Sequence, residues 1–206
     1  IPIDKRKIIL KNLIIFKMKK ASQTYNELYE DLKAPITHLY ELGMDIPEGF
    51  RVCAKYTLLS DFVEKIKNLE SYCDNKKIKE ISEIITLVNK FKIDINNNYI
   101  KGILSEELIK LIINLKQHPT IKNTNELIAF FELMQKIKIE VKITNSQNIF
   151  YDMLCVDFEK FCQNLSKKEK NNLRTLLLGL VNVGNYLNIN MDFYKDKIDV
   201  ITGKIN

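Results

Sequence analysis

Leu42-Gly43-Met44-Asp45-Ile46 is the first of four copies of one short phrase. The others are Phe91-Lys92-Ile93-Asp94-Ile95, Ile137-Lys138-Ile139-Glu140-Val141 and Leu187-Asn188-Ile189-Asn190-Met191. The pattern is apolar, any, apolar, acid or amide, apolar. First members stand 49, 46 and 50 residues apart. The second and third copies agree in character over nine positions, 87–95 against 133–141. In each copy a stripe with helical spacing runs into the phrase, and the spacing then drops to two, as at a helix end that passes into an extended connector. A helical unit returning near every 48 residues predicts an array of helix pairs rather than a wound sheet.

Working outward from the phrases, residues 5–33 predict one long helix, which Pro35 interrupts. A short helix over 36–42 leads into the first phrase. Pro47 suits a first helical turn, with Glu48 favourable at the positive end, and that helix runs to about residue 70. A polar turn at 73–77 precedes the stripe of Ile78, Ile81, Ile84, Ile85 and Val88. Asn96-Asn97-Asn98 is a loop, and Ser105 with Glu106 and Glu107 marks a fresh helix start. His118-Pro119 is a stop, and Asn123-Thr124-Asn125 caps the next helix. Thr144 or Asn145 caps the one after it. Ser166-Lys167-Lys168-Glu169 has capping-box spacing before the face of Leu173, Leu176, Leu177 and Leu180. A last short helix covers 193–201. The expected fold is all-α, with eight or nine helices packed as antiparallel pairs in one domain over residues 1–206.

Composition agrees. Six glycines and four prolines in 206 residues favour long helices over a many-turned sheet protein. A chain that opens on Ile1 instead of Met predicts a fragment of a longer protein. No run of about 18 apolar residues occurs, so no span is expected, no membrane partner is expected, and the location is expected to be cytoplasmic. The cysteines, Cys53, Cys73, Cys155 and Cys162, form no CxxC, and only His38 and His118 are present to complete a metal site. No metal or cofactor is expected. Cys53, Cys155 and Cys162 sit among apolar helical positions and read as small buried residues in a reducing compartment. The net charge of +6 comes from 29 lysines and only three arginines, Arg6, Arg51 and Arg174. Nucleic-acid readers favour arginine for bidentate contacts. The lysines read as a solvated surface, densest at Lys17-Met18-Lys19-Lys20.

No glycine-rich phosphate loop, GxSxG or HExxH is present. His118 before a proline reads as a complement to a helix's negative end, and His38 lies in a helix with Leu42 on its next turn. No acid stands in an apolar context that would tune it for proton transfer. The chain is therefore expected to have no catalytic residue of its own. Gln147-Asn148 is the most unusual polar pair, in the first turn of a helix bearing Ile149, Phe150 and Met153. Its amides suit either a sugar or nearby backbone, and they are the candidate substrate-binding residues.

Three stretches together resemble a known family. They are Lys7–Leu10 with Ala21–Glu30, then Leu42–Tyr56, then Ile139–Tyr151 with its Gln-Asn before an aromatic. The chain resembles the C-terminal helical region, of uncharacterised function, in bacterial proteins of the family 57 glycoside hydrolase type. It departs from that region at Ile143, where the family passage carries a tryptophan-containing segment; this chain has no Trp. The resemblance implies an accessory region. A preceding distorted (β/α) barrel would carry the two carboxylates that retaining glycosidases need, and no position here matches those motifs. The implied partner is that N-terminal catalytic domain of the same chain, with α-glucan as the substrate class. A helical-repeat module that binds a protein is the alternative. A nucleic-acid binder is a third reading, carried by charge alone.

Overall fold

The computed structural model describes residues 3–161 and 167–201. It contains eight helices and, among the described residues, no strand: α1 (Ile3–Glu41), α2 (Glu48–Lys67), α3 (Asn75–Lys90), α4 (Asn98–Gln117), α5 (Ile121–Ile137), α6 (Thr144–Phe161), α7 (Lys167–Tyr186) and α8 (Asp192–Ile201). The all-α expectation holds. Among the described residues no helix is long and apolar enough to cross a membrane. Ser166 of the expected capping box and Cys162 lie outside the described residues.

The four phrases are four copies of one cap, closing α1, α3, α5 and α7. The second residue of each is left-handed: Gly43 at φ 75°, Lys92 at 55°, Lys138 at 56° and Asn188 at 54°. Its N–H bonds the carbonyl three residues back, and the next N–H bonds the carbonyl five residues back. The pairs are Gly43 to Tyr40 and Met44 to Leu39, Lys92 to Asn89 and Ile93 to Val88, Lys138 to Gln135 and Ile139 to Met134, and Asn188 to Asn185 and Ile189 to Gly184. This is the Schellman arrangement, which satisfies carbonyls that a helix end leaves without donors. After the cap the chain is extended, so alternate residues face one side. Phe91, Ile93 and Ile95 are accordingly buried, while Lys92 and Asp94 are exposed.

Several boundaries differ from the sequence reading: α3 begins at Asn75 inside the expected turn, Asn98 already belongs to α4, Thr144 and Asn145 lie within α6, and three further differences have a clear physical reason. Pro35 lies inside α1, which continues to Glu41. The ring removes the donor for the carbonyl of Asp31, and both residues are exposed, so water is at hand for that carbonyl. Ser105 does not start a helix. Its hydroxyl donates to the Lys101 carbonyl at 2.7 Å within a continuous α4, and accepts from the N–H of Lys142 at 3.2 Å. The cap of α5 is Thr120, whose side chain accepts from the N–H of Asn123; the Asn123-Thr124-Asn125 run falls inside the first turns.

The chain forms two compact units, the first from residues 1–66 and 81–95, the second from 67–80 and 96–206. In the first unit a chain of rings ties α1, α2 and the second phrase together. Tyr29 stacks on Phe50 with centroids 5.8 Å apart, and Phe50 meets the edge of Phe91 at 5.2 Å. Leu58, Phe62, Ile81 and Val88 are buried in the same unit. Thr57 donates to Asn26 at 2.8 Å, and the hydroxyls of Ser22 and Tyr56 bond each other, so α1 is pinned to α2 from about its twentieth residue onward.

In the second unit α4 packs on both α5 and α6, α5 on α7, α6 on α7, and α7 on α8. Helices two apart in sequence lie side by side, so one pair (α4, α5) stacks on the next (α6, α7). That is the geometry of a helical-repeat stack. Close approach is needed where α5 meets α7: a Cβ at Gly179 would stand 3.0 Å from the Thr124 hydroxyl oxygen. Phe131 of α5 stacks on Tyr186 of α7 at 4.9 Å and 6°. The turn before α3 is held by Glu126 of α5, a buried carboxylate that accepts from the Ser71 hydroxyl and the Tyr72 N–H.

Candidate functional site

Two clefts open at the repeated helix ends. Where the chain leaves a helix through a left-handed residue it turns away sharply, and the corner leaves a concavity. In the first unit this cleft has a volume of about 430 Å³ and is lined by Tyr40, Glu41, Gly43, Met44, Asp45, Ile46, Arg51 and Lys92. In the second it is about 340 Å³, with Phe131, Met134, Ile139, Val141, Ile143 and Tyr186 as walls and Gln135, Lys138 and Glu140 among its polar lining. Both sizes fall in the range that takes a small ligand or a partner's side chain.

The first cleft is the more charged. Arg51 Nη1 donates to Glu48 at 3.3 Å, and its buried Nε has no hydrogen-bond partner within the protein. Lys90 pairs with Glu41 at 3.5 Å and sits 5.3 Å from the centre of the Tyr40 ring. Glu41 is thereby balanced by Lys90 and Arg51 is paired with Glu48, which leaves Lys92 and the unpartnered Nε of Arg51 with Asp45 in the cleft lining. A carboxylate from a partner would find donors there, a planar guanidinium among them. The second cleft is mainly apolar and suits an aromatic or aliphatic side chain.

The two candidate amides separate. Gln147 turns inward and donates through Nε2 to the carbonyl of Leu187 at 2.7 Å, so it joins the start of α6 to the fourth cap. Asn148, one residue on, is exposed. His118 ends α4, its N–H bonded to Asn114 and its carbonyl accepting from Asn123 at 2.7 Å, while His38 is exposed on α1. Cys53 is buried as expected, but Cys155 is exposed, because it lies off the α6 stripe formed by Phe150, Met153, Leu154 and Phe158. Among the described residues no group of three His, Cys, Asp or Glu is gathered closely enough to hold a metal ion.

The sequence reading passed over Glu126. It shares a stripe with Phe130, Leu133 and Ile137 at spacings of four, three and four. An acid on an apolar stripe is the signal of a buried carboxylate with a fixed partner. Here it organises a turn. It also contributes, after desolvation, to holding the exposed Cys73 thiol above its usual range.

No protein-family model, curated protein or solved structure matches this chain.

Proposed function

We propose that the chain is a non-catalytic helical accessory region of a family 57-type glycoside hydrolase acting on α-glucan, and that it works by docking against the catalytic domain. The observation that carries the docking role is the repeated cap. One device closes two helices in each unit and leaves a cleft at one such corner in each, and in the second unit the helix pairs stack. Helix-pair stacks of this kind present extended surfaces to other chains. Two of the three stretches that carry the family resemblance, 42–56 and 139–151, lie at these two corners. The glycosidase assignment rests on that resemblance. Catalysis in such a protein would belong to two carboxylates on the barrel.

A second reading is a helical-repeat module that binds a protein and has no enzymatic parent. One observation favours it. Leu42 and Met44 of the first cap are 64% and 56% exposed, whereas their counterparts Phe91, Ile93, Ile137 and Ile139 are buried. An apolar cap left open on one unit is a place for another chain to sit.

The test is to express the coding region that surrounds this chain and assay α-glucan hydrolysis and transfer. Activity in the whole product, with none in residues 1–206 alone, supports the accessory reading. Turnover of glucan by residues 1–206 alone contradicts it. A coding region with no barrel would remove the glycosidase and leave the protein-binding module.

A further inference from the structure

We propose that residues 3–20 of α1 form an interfacial helix that docks this protein on an anionic lipid surface. The first twenty residues hold seven basic side chains, Lys5, Arg6, Lys7, Lys11, Lys17, Lys19 and Lys20, against the single acid Asp4. Their balance of +6 equals that of the entire chain, so the other residues carry 25 charges of each sign. The excess is concentrated on one half of one helix, and contacts to α2 begin only beyond it, at Ser22 and Tyr25.

The same half-helix is apolar in its middle. From Ile8 to Met18 every large apolar side chain is between 51% and 63% exposed. At 3.6 residues per turn, Ile9, Leu10, Leu13, Ile14 and Phe16 fall within one broad arc that Arg6, Lys17 and Lys20 share, and Ile8, Ile15 and Met18 lie on the opposite side among Lys11, Asn12 and Lys19, so the exposed apolar surface wraps most of this half-helix. Arg6 lies before that apolar face, and Lys17 and Lys20 lie after it. Their long stems can lie along apolar surface while the charged ends reach polar headgroups. A stretch of 18 residues spans about 27 Å as a helix lying in the plane of a surface.

Charge and shape choose the occupant. A second copy would bring one +6 segment against another. A nucleic acid would want arginine and little exposed aliphatic surface, and six of the seven cations here are lysines. A protein groove accepts a narrow stripe, whereas this apolar arc is broad. An anionic bilayer interface accepts a broad apolar face and attracts the cations, each basic side chain near it strengthening binding by about fivefold. Spanning length is beside the point, because an interfacial helix crosses nothing. The sequence expectation of no membrane partner rested on spanning length alone.

The chain has no Trp, so Leu13→Trp gives a clean reporter. The intact 206-residue chain would be mixed with phosphatidylcholine vesicles, with and without phosphatidylserine. Binding should be confined to the phosphatidylserine vesicles, with a blue-shifted Trp signal that salt reverses. The triple change Lys17→Gln, Lys19→Gln and Lys20→Gln should weaken binding roughly a hundredfold. The pair Leu13→Gln and Phe16→Gln should abolish the blue shift with the charge intact. All these positions are exposed, so circular dichroism and the unfolding midpoint should stay unchanged, which separates loss of docking from loss of fold. Absence of binding to phosphatidylserine vesicles, or equal binding to neutral ones, overturns the proposal. So does a dimer, or an RNA complex, that the same variants abolish while vesicle binding is absent.

Discussion

Lys92, Lys138 and Asn188 hold a left-handed backbone that glycine adopts at lower cost, and only Gly43 among the four caps uses glycine. The cost arises because a Cβ crowds the following carbonyl, by about 1–2 kcal/mol for most side chains. Lys138→Gly should therefore raise stability by about 0.5–1 kcal/mol, and Gly43→Val should lower it by about 1–2 kcal/mol. Urea midpoints of the two variants check this. The phrase was legible as a helix end because its spacing changes there. The left-handed position was legible at Gly43 and Asn188, residue types that favour it, and not at Lys92 and Lys138, because lysine does not announce a cap.

Two tyrosines supply a pH prediction. The hydroxyls of Tyr29 and Tyr72 are buried without a hydrogen-bond partner within the protein. Burial, then Glu30 and Asp61, pushes Tyr29 up from 10.0 to about 12. Burial, then Glu107 and Glu126, raises Tyr72 as well. An unfolded tyrosine loses its proton near pH 10, roughly its ordinary value, while the folded one still holds it. The unfolded state is then favoured as pH rises. Stability should be intact below about pH 10 and fall from there toward pH 12. Tyr29→Phe and Tyr72→Phe should each flatten part of that fall in unfolding midpoints taken across the range. An unchanged slope in both would show that neither hydroxyl is responsible.

At the scale of elements, α5 and α7 meet closely at Gly179, where a Cβ would stand 3.0 Å from the Thr124 hydroxyl oxygen. Thr124 is buried, and its branched side chain has few alternative rotamers. Gly179→Ala should cost about 1–3 kcal/mol by overpacking. The turn at 71–73 depends on Glu126. Removing that carboxylate leaves the buried Tyr72 N–H without its acceptor, and Glu126→Ala should cost about 1–3 kcal/mol in chemical unfolding. The apolar stripes that made α3, α5 and α7 legible are the faces the structure buries. The errors fell where local chemistry has two uses. Pro35 looked like a stop but sits on an exposed side of α1, where its missing bond is tolerated. Ser105 resembled an N-cap and instead bonds back to Lys101 and ties Lys142 to α4. Gln147 and Asn148 looked like one pair, yet adjacent residues on a helix point about 100° apart, so one went inward and the other outward.

At the scale of the molecule, the near-48-residue period is the reason an array could be read at all. It reports a cap, not a conserved surface. The cap recurs because each helix pair must turn the chain back in the same way. What periodicity could not show was where the array leaves residues unpartnered. Leu42 and Met44 match the phrase as well as Phe91 and Ile93 do, and only three-dimensional packing separates the exposed copy from the buried one. The first half of α1 shows the same limit. Its apolar residues lie on most sides of the helix, so no single buried face was legible, and the structure leaves them exposed. The central claim is the proposal that these helix pairs act by docking and do no chemistry. The most direct measurement is a calorimetric titration of residues 1–206 with the catalytic barrel that the proposed function calls for, sought in the same coding region, produced as a separate piece and assayed on α-glucan with and without the chain. A saturable one-to-one complex, with all glucan turnover residing in the barrel, is the predicted result. No binding heat, together with glucan turnover by residues 1–206 alone, would contradict it.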